Sequence, residues 1–405
     1  LWWYEWICER FGELPGAVWC VGQPEIWQIV CYYAGIFLLV FGRKYVEAWK
    51  RRGTYGEENV PGVIIHSNRF LHQIATVMIL GLLIGLLTGN FDRGSRVTFL
   101  DVGQGDGIVV ETGQGAYLFD CGSTSRKNIG EYVLKPYLKS RGICSLRGVF
   151  VSHPDEDHMN GILELLENGE EWGITAEQLF LPAIRESERR ETFEQLLAAA
   201  EDAGIPVSYI KCGDEIRDSQ LRLLCLHPEE NTTLADANAY SECFYVEVFA
   251  KKMKQEAIDD RKANDASGGS AIGKISILLT GDVEGEGERQ LTQRLQALQE
   301  SRSLQESRSL QESRSLQESQ SLQTTRRLQE QRGQREFRVD ILKVAHHGSG
   351  YSTGTEFLAT ASPAIAIISC GRNNSYGHPH AETLQRLEDA RVPWYGTMDY
   401  GALTV

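Results

Sequence analysis

The sequence has no pair of cysteines in a Cys-x-x-Cys spacing, although it contains nine cysteines. A zinc knuckle depends on such pairs, and a disulfide framework is usually marked by an even number of regularly spaced cysteines. Neither is indicated here. We interpret Cys121 and Cys370, which lie beside polar motifs, as small buried hydrophobic residues.

Basic residues are also in deficit. The chain has 41 Lys and Arg against 55 Asp and Glu, which gives a formal net charge of −14. This charge argues against a broad basic surface for nucleic acid. It does not exclude chemistry on phosphodiesters, because bound divalent cations would reverse the sign of the local potential.

The densest group of titratable side chains lies in the segment 152–161, at the end of the apolar, strand-like run Gly148–Val151. Two histidines and two aspartates occur there within six residues: His153, Asp155, Asp157 and His158. Carboxylates and imidazoles are typical ligands of zinc, manganese or iron. The alternative is a solvated acidic loop with two incidental histidines.

Later groups of the same kind disfavour that alternative. Four further apolar runs, 116–119, 274–280, 339–344 and 364–369, predict strands that are followed by polar groups containing Gly and Asp or His. These groups are Asp120-Cys121-Gly122, Gly281-Asp282, Ala345-His346-His347-Gly348-Ser349 and Gly377-His378-Pro379-His380. Strands that end in this way place polar side chains along one edge of a sheet. The sequence therefore predicts a metal site assembled at strand ends.

In this order the motifs resemble the metallo-β-lactamase superfamily, whose usual signature is His-x-His-x-Asp-His. The segment Asp101-Val-Gly-Gln-Gly-Asp106, together with Ala-His-His-Gly-Ser and Gly-His-Pro, narrows the resemblance to the extracytoplasmic domain of ComEC-type competence proteins, which are membrane channels for DNA uptake. The resemblance covers residues 96–405 and implies an α/β fold, the αββα sandwich. Periodicity alone leaves other layered α/β folds open.

The resemblance implies two divalent metal ions, manganese or zinc. His153 and Asp155 would hold one ion. Asp157 and His158 would hold the second, with Asp282 bridging the two. His378 resembles the last ligand of the second site. Such ions supply a nucleophile and stabilise charge on a phosphoryl oxygen, and Asp157 would also orient that nucleophile or take its proton.

Five other residues receive roles from the same resemblance. His346 or His347 would contact the scissile phosphate or protonate the leaving oxygen, unless backbone groups satisfy them. Asp120 would order the ligand loops. Gln104 and Asp106 lie in a glycine-rich turn, which serves a substrate site and a tight turn equally well.

The chain departs from the superfamily pattern at two positions. Asp155 stands where the second histidine of the signature is usual, and this carboxylate favours harder ions such as manganese. The histidine of the third motif is missing. Its position falls near Asn238–Ser241, and His227 lies too early in the sequence. We therefore expect the first ion to be bound loosely.

The first ninety residues differ in character from the rest. The apolar runs Ile26–Gly42 and Phe70–Thr88 are near the length that crosses a bilayer, with buried core helices as the alternative. Residues 43–69 between them are basic, whereas residues 1–25 contain one Arg and four Glu. The positive-inside rule then predicts a cytoplasmic loop at 43–69 and extracytoplasmic segments at 1–25 and 96–405.

The segment 298–335 carries a Leu-Gln-Glu-Ser-Arg-Ser repeat. A period of six residues advances a helix by about 600°, so the leucines form no single stripe. We predict a mobile or frayed surface insertion in the domain, without a role in the chemistry.

The leading hypothesis is a metal-dependent phosphodiesterase or nuclease domain. It would belong to a multi-pass bacterial cell membrane protein that takes up DNA, and it would hydrolyse DNA outside the membrane. The missing N-terminal channel portion of such a protein and other competence proteins would be its partners. A non-catalytic module that guides DNA and a hydrolase of another anionic phosphodiester are the alternatives.

Overall fold

The computed structural model describes residues 2–12, 21–53, 69–88, 94–184, 191–230, 238–249, 274–316 and 339–405. They belong to two compact units. One comprises Leu1–Asp92 with Tyr137–Cys144, and the other comprises Arg93–Pro136 with Ser145–Val405.

The first unit is helical. Its helices are α1 (Trp2–Gly12), α2 (Ile26–Gly53), α3 (Arg69–Thr88) and most of α4 (Lys135–Arg141). The Nε2 of Gln28 donates a hydrogen bond to the carbonyl oxygen of Leu86 at 2.7 Å, which joins α2 to α3. Within the described ranges no helix is both long and apolar enough to cross a bilayer. The two spans predicted at 26–42 and 70–88 are therefore not confirmed.

Fifteen strands are described in the second unit. They are β1 (Arg96–Phe99), β2 (Gly107–Thr112), β3 (Gly115–Cys121), β4 (Ser145–Phe150), β5 (Thr175–Ala176), β6 (Leu179–Pro182), β7 (Val207–Ile210), β8 (Glu215–Arg217), β9 (Leu221–His227), β10 (Cys243–Phe249), β11 (Lys274–Leu279), β12 (Ile341–Lys343), β13 (Ile365–Ile368), β14 (Trp394–Gly396) and β15 (Leu403–Thr404). One sheet has the order β15-β1-β2-β3-β4-β6-β7, with β5 beside β4. The other has the order β14-β13-β12-β11-β10-β9-β8.

The two sheets share an apolar core between them. Alternate residues of a strand point to opposite faces, so Leu223 of β9 packs in the inter-sheet core while Leu224 packs in a second core on the outer face. Phe119 of one sheet meets Phe244 of the other edge-to-face, with ring centroids 5.6 Å apart. This arrangement is that of a β-sandwich.

Helices cover both outer faces. The second unit contains α5 (Glu156–Trp172), α6 (Glu191–Asp202), α7 (Gly285–Leu316), α8 (Thr355–Ala361), α9 (Ala381–Asp389) and α10 (Thr397–Tyr400). Helix α5 packs on β3 of the first sheet. Leu291 of α7 and Phe357 of α8 join the outer core of the second sheet. The predicted αββα layering is confirmed.

The topology brings the ends of several strands to one edge. β3 and β4 run parallel, and so do β11, β12, β13 and β14. Parallel neighbours end on the same side of a sheet. The loops after β3, β4, β11, β12 and β13 carry the polar motifs that the sequence analysis singled out.

Two expectations need correction. The hexapeptide repeat is not a frayed segment at its start, because α7 continues without interruption as far as Leu316; residues 317–335 of it lie outside the described ranges. In addition, Cys144 forms a disulfide bond, which the cysteine spacing did not indicate.

His227, at the end of β9, makes the stability of this unit depend on pH. It is fully buried, and its Nε2 donates to the carbonyl oxygen of Ala239 at 2.6 Å. Burial lowers its pKa from 6.5 to about 4. The unfolded chain therefore binds a proton that the folded chain does not, and stability falls as the pH drops from about 6.5 to about 4.

Replacing His227 by glutamine should remove this pH dependence. Between about pH 7 and pH 5, the free energy of unfolding of His227→Gln, measured with urea, should fall by about 2 kcal/mol less than that of the wild type. Equal losses in the two proteins would contradict this assignment.

Candidate metal centre

His158 and Asp282 form the centre of the candidate site. His158 lies in the first turn of α5, and Asp282 follows β11. The Nδ1 of His158 lies 2.9 Å from Oδ2 of Asp120, and a carboxylate only accepts hydrogen bonds, so Nδ1 carries the proton. The Nε2 of the same ring is left for a further partner and lies 3.2 Å from Oδ1 of Asp282.

His347 is arranged in the same way from the opposite side. Its Nδ1 lies 2.8 Å from the carbonyl oxygen of Ser369 and therefore donates to it. Its Nε2 lies 3.3 Å from Oδ2 of Asp282 and 3.4 Å from Oδ2 of Asp157. Neither this Nε2 nor that of His158 has a hydrogen-bond partner in the part of the chain that the structure describes, although both are buried. Buried polar atoms without partners are costly.

A divalent cation fits these donors. Two imidazole Nε2 atoms and two carboxylates are a ligand set typical of zinc or manganese, and the hydrogen bonds of both Nδ1 atoms fix the ring orientation that ligands require. Asp106, His158, Asp282 and His347 also have ligand atoms within 4.8 Å of one another. Among these, Asp106 approaches the Nδ1 side of both rings, at 3.7 Å. Those nitrogens are already engaged, so Asp157 completes the set.

The electrostatics of the site favour a cation. Burial by itself lowers the pKa of His347, but the carboxylates of Asp282 and Asp106 raise it to about 10. Burial also lowers the pKa of His158. Asp282 and Asp120 nevertheless raise this pKa well above its ordinary value. A metal ion would compete with these protons for the same nitrogens.

Lys343 supplies an internal positive charge that the sequence analysis missed. Its side chain is 1% exposed, contacts the carboxylate of Asp106, and lies 3.5 Å from Oδ1 of Asp282. Its Nζ also donates to the carbonyl oxygen of Gly281 at 2.7 Å. Burial lowers the pKa of Lys343, but the two carboxylates raise it above the ordinary value. The signal in the sequence was a lone lysine within an apolar strand, because a buried charge needs a partner.

The first of the two predicted metal sites, at His153 and Asp155, has fewer possible ligands than the site at His158 and Asp282. His153 is buried, and burial together with His158 lowers its pKa to about 4, so it is neutral. Its Nδ1 lies 3.2 Å from Oγ of Ser241, which occupies the region where a third-motif histidine was expected. Asp155 lies 3.8 Å from the Nε2 of His153, and its side chain is 33% exposed. The structure thus brings this pair together, and among the described residues the cluster of possible metal ligands does not include it.

His378 lies at the rim of the site, where the sequence analysis expected the last ligand. The Oε1 of Gln104 accepts from the backbone N of Gly371 at 3.2 Å, so the amide Nε2 faces Nδ1 of His378 at 3.3 Å. An amide nitrogen only donates, so Nδ1 of His378 accepts and its Nε2 carries the proton. That Nε2 therefore has no free lone pair for a metal. Of the residues predicted for the site, the structure thus places His347 beside Asp282 at the centre and His378 at the rim.

The chain matches known proteins in the same region. Residues 100–207 match the family model described as the metallo-beta-lactamase superfamily. The chain is 28% identical over 324 residues to ComE operon protein 3 of Bacillus subtilis, covering 75% of this chain and 33% of that protein. It is 26% identical over 368 residues to Recombination protein 2 of Haemophilus influenzae, covering 87% and 35%. The chain is homologous to these proteins and carries a metallo-β-lactamase domain. It spans about a third of the length of these relatives.

Among solved structures, the metallo-beta-lactamase fold protein YhfI from Bacillus subtilis is similar over 77% of this chain and 99% of its own length. The TM-score is 0.37 and the identity 9%. A likeness of this extent carries no argument about function.

The metallo-β-lactamase domain holds three of its site residues in left-handed backbone conformations. Asp120 has φ 52°, His346 φ 48° and His347 φ 54°. Such conformations are costly for residues other than glycine and persist where the surrounding structure fixes them. Asp120 is fixed by accepting hydrogen bonds from both N and Oγ of Ser152, each at 2.7 Å.

His346 faces the same site from the loop after β12. Its Nδ1 lies 2.9 Å from Oε2 of Glu284, and its Nε2 lies 3.7 Å from Oδ2 of Asp282. Burial lowers the pKa of His346, but Glu284 and Asp282 raise it above its ordinary value. Glu284 had no role in the sequence analysis, since nothing in its local sequence sets it apart from other surface acids.

Gln104 and Asp106, for which a substrate site and a tight turn were equally expected, both contact other side chains of the candidate site. Both are about 1% exposed and are engaged with His378 and Lys343 respectively. The turn that contains them lies very close to the loop after β3. A β-carbon at Gly105 would collide with the carbonyl oxygen of Gly122 in that loop. The glycines of this turn serve close packing of two loops under the site.

The contact between Asp120 and His158 leads to a prediction. We expect Asp120→Asn to weaken divalent-metal binding about 10- to 100-fold, because the amide no longer fixes the tautomer of His158. A chelator-competition titration measures this, and a circular dichroism melt shows that the fold is kept. Asp101→Asn is the matched control, since Asp101 is partly exposed and its carboxylate pairs with Arg126 at the surface. Equal affinities in the two variants would contradict the role of Asp120.

Proposed function

We propose that the metallo-β-lactamase domain is a metal-dependent phosphodiesterase that cleaves DNA during DNA uptake. The observation that carries the proposal is the convergence of two unpartnered imidazole Nε2 atoms, of His158 and His347, on Asp282. Homology to competence proteins supports DNA as the substrate. DNA, the channel portion that such relatives contain and other competence proteins are the proposed partners.

Asp157, His158, Asp282 and His347 would hold the ion. A divalent ion there would supply a nucleophile at neutral pH and stabilise the charge that develops on the phosphoryl group. Burial lowers the pKa of His346, but Glu284 and Asp282 raise it above its ordinary value and so favour the charged form. We assign His346 the protonation of the leaving oxygen.

His378 would contact a phosphoryl oxygen. Burial and the neighbouring His347 and His346 lower its pKa to about 4, so the ring is neutral. With Nδ1 held by Gln104, its Nε2–H is available as a hydrogen-bond donor. A neutral donor stabilises a developing negative charge without giving up its own proton.

We also propose that the domain lies outside a bacterial cell membrane. The basic segment 43–69, between the apolar runs 26–42 and 70–88, supports a cytoplasmic loop between two membrane segments. Residues 96–405 then follow on the extracytoplasmic side.

The test is a cleavage assay on the whole chain with Mn²⁺ or Zn²⁺. The substrates are single-stranded DNA, double-stranded DNA and bis(p-nitrophenyl) phosphate, and the control is the double variant Asp157→Ala, His158→Ala. We expect metal-dependent cleavage of DNA that the double variant lacks. A folded, metal-loaded chain without turnover would contradict the proposal and favour a module that guides DNA, a reading that Ser241 in place of a third histidine supports. Turnover of the small diester without cleavage of DNA would point to another phosphodiester substrate.

A further inference from the structure

An exposed aromatic ring lies directly beside the candidate metal centre. Tyr376 is 52% exposed, and its ring stacks on that of His378 with centroids 5.7 Å apart and planes 22° from parallel. Its backbone N donates to Oδ1 of Asn374 at 3.1 Å, and its carbonyl oxygen pairs with Nε2 of His380 at 3.0 Å. The ring is therefore held in place while about half of its surface stays in solvent.

The position of Tyr376 relative to the ligands fits one nucleotide. His378, on which it stacks, lies 5.5 Å from His346 between ring centroids, and Nε2 of His346 is 3.7 Å from Asp282. Two ring contacts and one polar contact thus link Tyr376 to the carboxylate of Asp282. A nucleobase that stacks on Tyr376 would have its own phosphodiester group within reach of His378 and His346.

The charge of the chain restricts the kind of nucleic acid. With a net charge of −14 the chain offers little attraction to a long phosphate backbone. Arg372, close to Tyr376 in sequence, already directs its guanidinium to the carbonyl oxygen of Met398 at 2.9 Å. A base stacks on an aromatic side chain only where it is not paired in a duplex, and such stacking is worth about 1–3 kcal/mol per base.

We propose that Tyr376 is a base-stacking platform for single-stranded nucleic acid, which positions the adjoining phosphodiester at the metal centre. This inference rests on the proposed function and narrows its substrate to unpaired strands. Tyr376 acts here as a binding residue, and it takes no part in bond breaking.

Binding without turnover tests the platform. Fluorescence anisotropy of the whole chain in EDTA is measured with a labelled oligothymidylate and with an abasic oligonucleotide of equal length. We expect Tyr376→Ala to weaken binding of the oligothymidylate about tenfold and to leave binding of the abasic strand unchanged. Tyr376→Leu, which keeps a side chain over His378 without an aromatic face, should lose as much, whereas Tyr376→Trp should bind as the wild type does. Tyr132→Ala, at an exposed tyrosine on the turn Gly130–Leu134, is the matched control and should have no effect.

Two results would overturn the platform. Either Tyr376→Ala binds the oligothymidylate as tightly as the wild type, or it weakens binding of both strands equally, which would indicate a general disturbance of the loop. Hydrolysis of bis(p-nitrophenyl) phosphate, which offers no nucleobase, separates this outcome from failure of the proposed function. A wild-type chain that lacks this activity would contradict the catalytic proposal and leave the anisotropy result to decide the platform.

Discussion

Replacing His347 by alanine should lower the affinity of the chain for Mn²⁺ or Zn²⁺ by more than about 100-fold. The ring supplies one of two imidazole nitrogens that face Asp282 and, among the described residues, have no hydrogen-bond partner. Loss of a residue that merely supports a ligand already costs about 10- to 100-fold in affinity, so loss of the ligand itself should cost more. Chelator competition gives the affinity, and elemental analysis of the purified protein gives the metal content.

His380→Ala is the matched control for this experiment. Both ring nitrogens of His380 are engaged, Nδ1 with the backbone N of Gly350 at 2.8 Å and Nε2 with the carbonyl oxygen of Tyr376. We expect its metal affinity to stay within a few-fold of the wild type. If the two histidine variants retained metal equally well, His347 would not be a ligand.

Lys343→Met should destabilise the folded chain by about 3–5 kcal/mol, because it leaves the buried carboxylates of Asp106 and Asp282 without their ammonium partner. Urea unfolding in EDTA measures the loss. The surface variant Lys274→Met removes a partly exposed pair with Glu247 and should cost less than about 1 kcal/mol.

A second substitution tests the reason for this loss. Adding Asp106→Asn to Lys343→Met removes the carboxylate that Lys343 contacts, so the double variant should recover part of the stability. If the double variant were less stable than the single variant by the full cost of Asp106→Asn alone, the two side chains would be independent and the pairing would be refuted.

The sequence was sufficient to predict the residues that form the centre of the site. Asp157, His158 and Asp282 follow apolar runs, and strand ends converge whatever the details of the packing. The assignment of His347 and His378 could not be made in this way. It depends on two consecutive left-handed residues after β12 and on the amide of Gln104, which lies far away in the chain.

Tertiary contacts also explain the elements that the sequence analysis missed. The strands β5 and β15 are two residues long each, and pairing with β4 and β1 defines them rather than any pattern of their own. The hexapeptide repeat lacks an apolar stripe, yet its first part continues α7, whose Leu291 and Leu295 are anchored in the outer core. Helix formation propagates readily from such an anchored start.

The most direct test of the account is the position of a bound metal, measured by anomalous X-ray scattering from crystals of the Mn²⁺-loaded chain. The account predicts an ion on the Nε2 side of both rings, ligated by His158, His347, Asp157 and Asp282. An ion bound instead by Asp106 and the Nδ1 atoms, or no ion among these four residues, would contradict it.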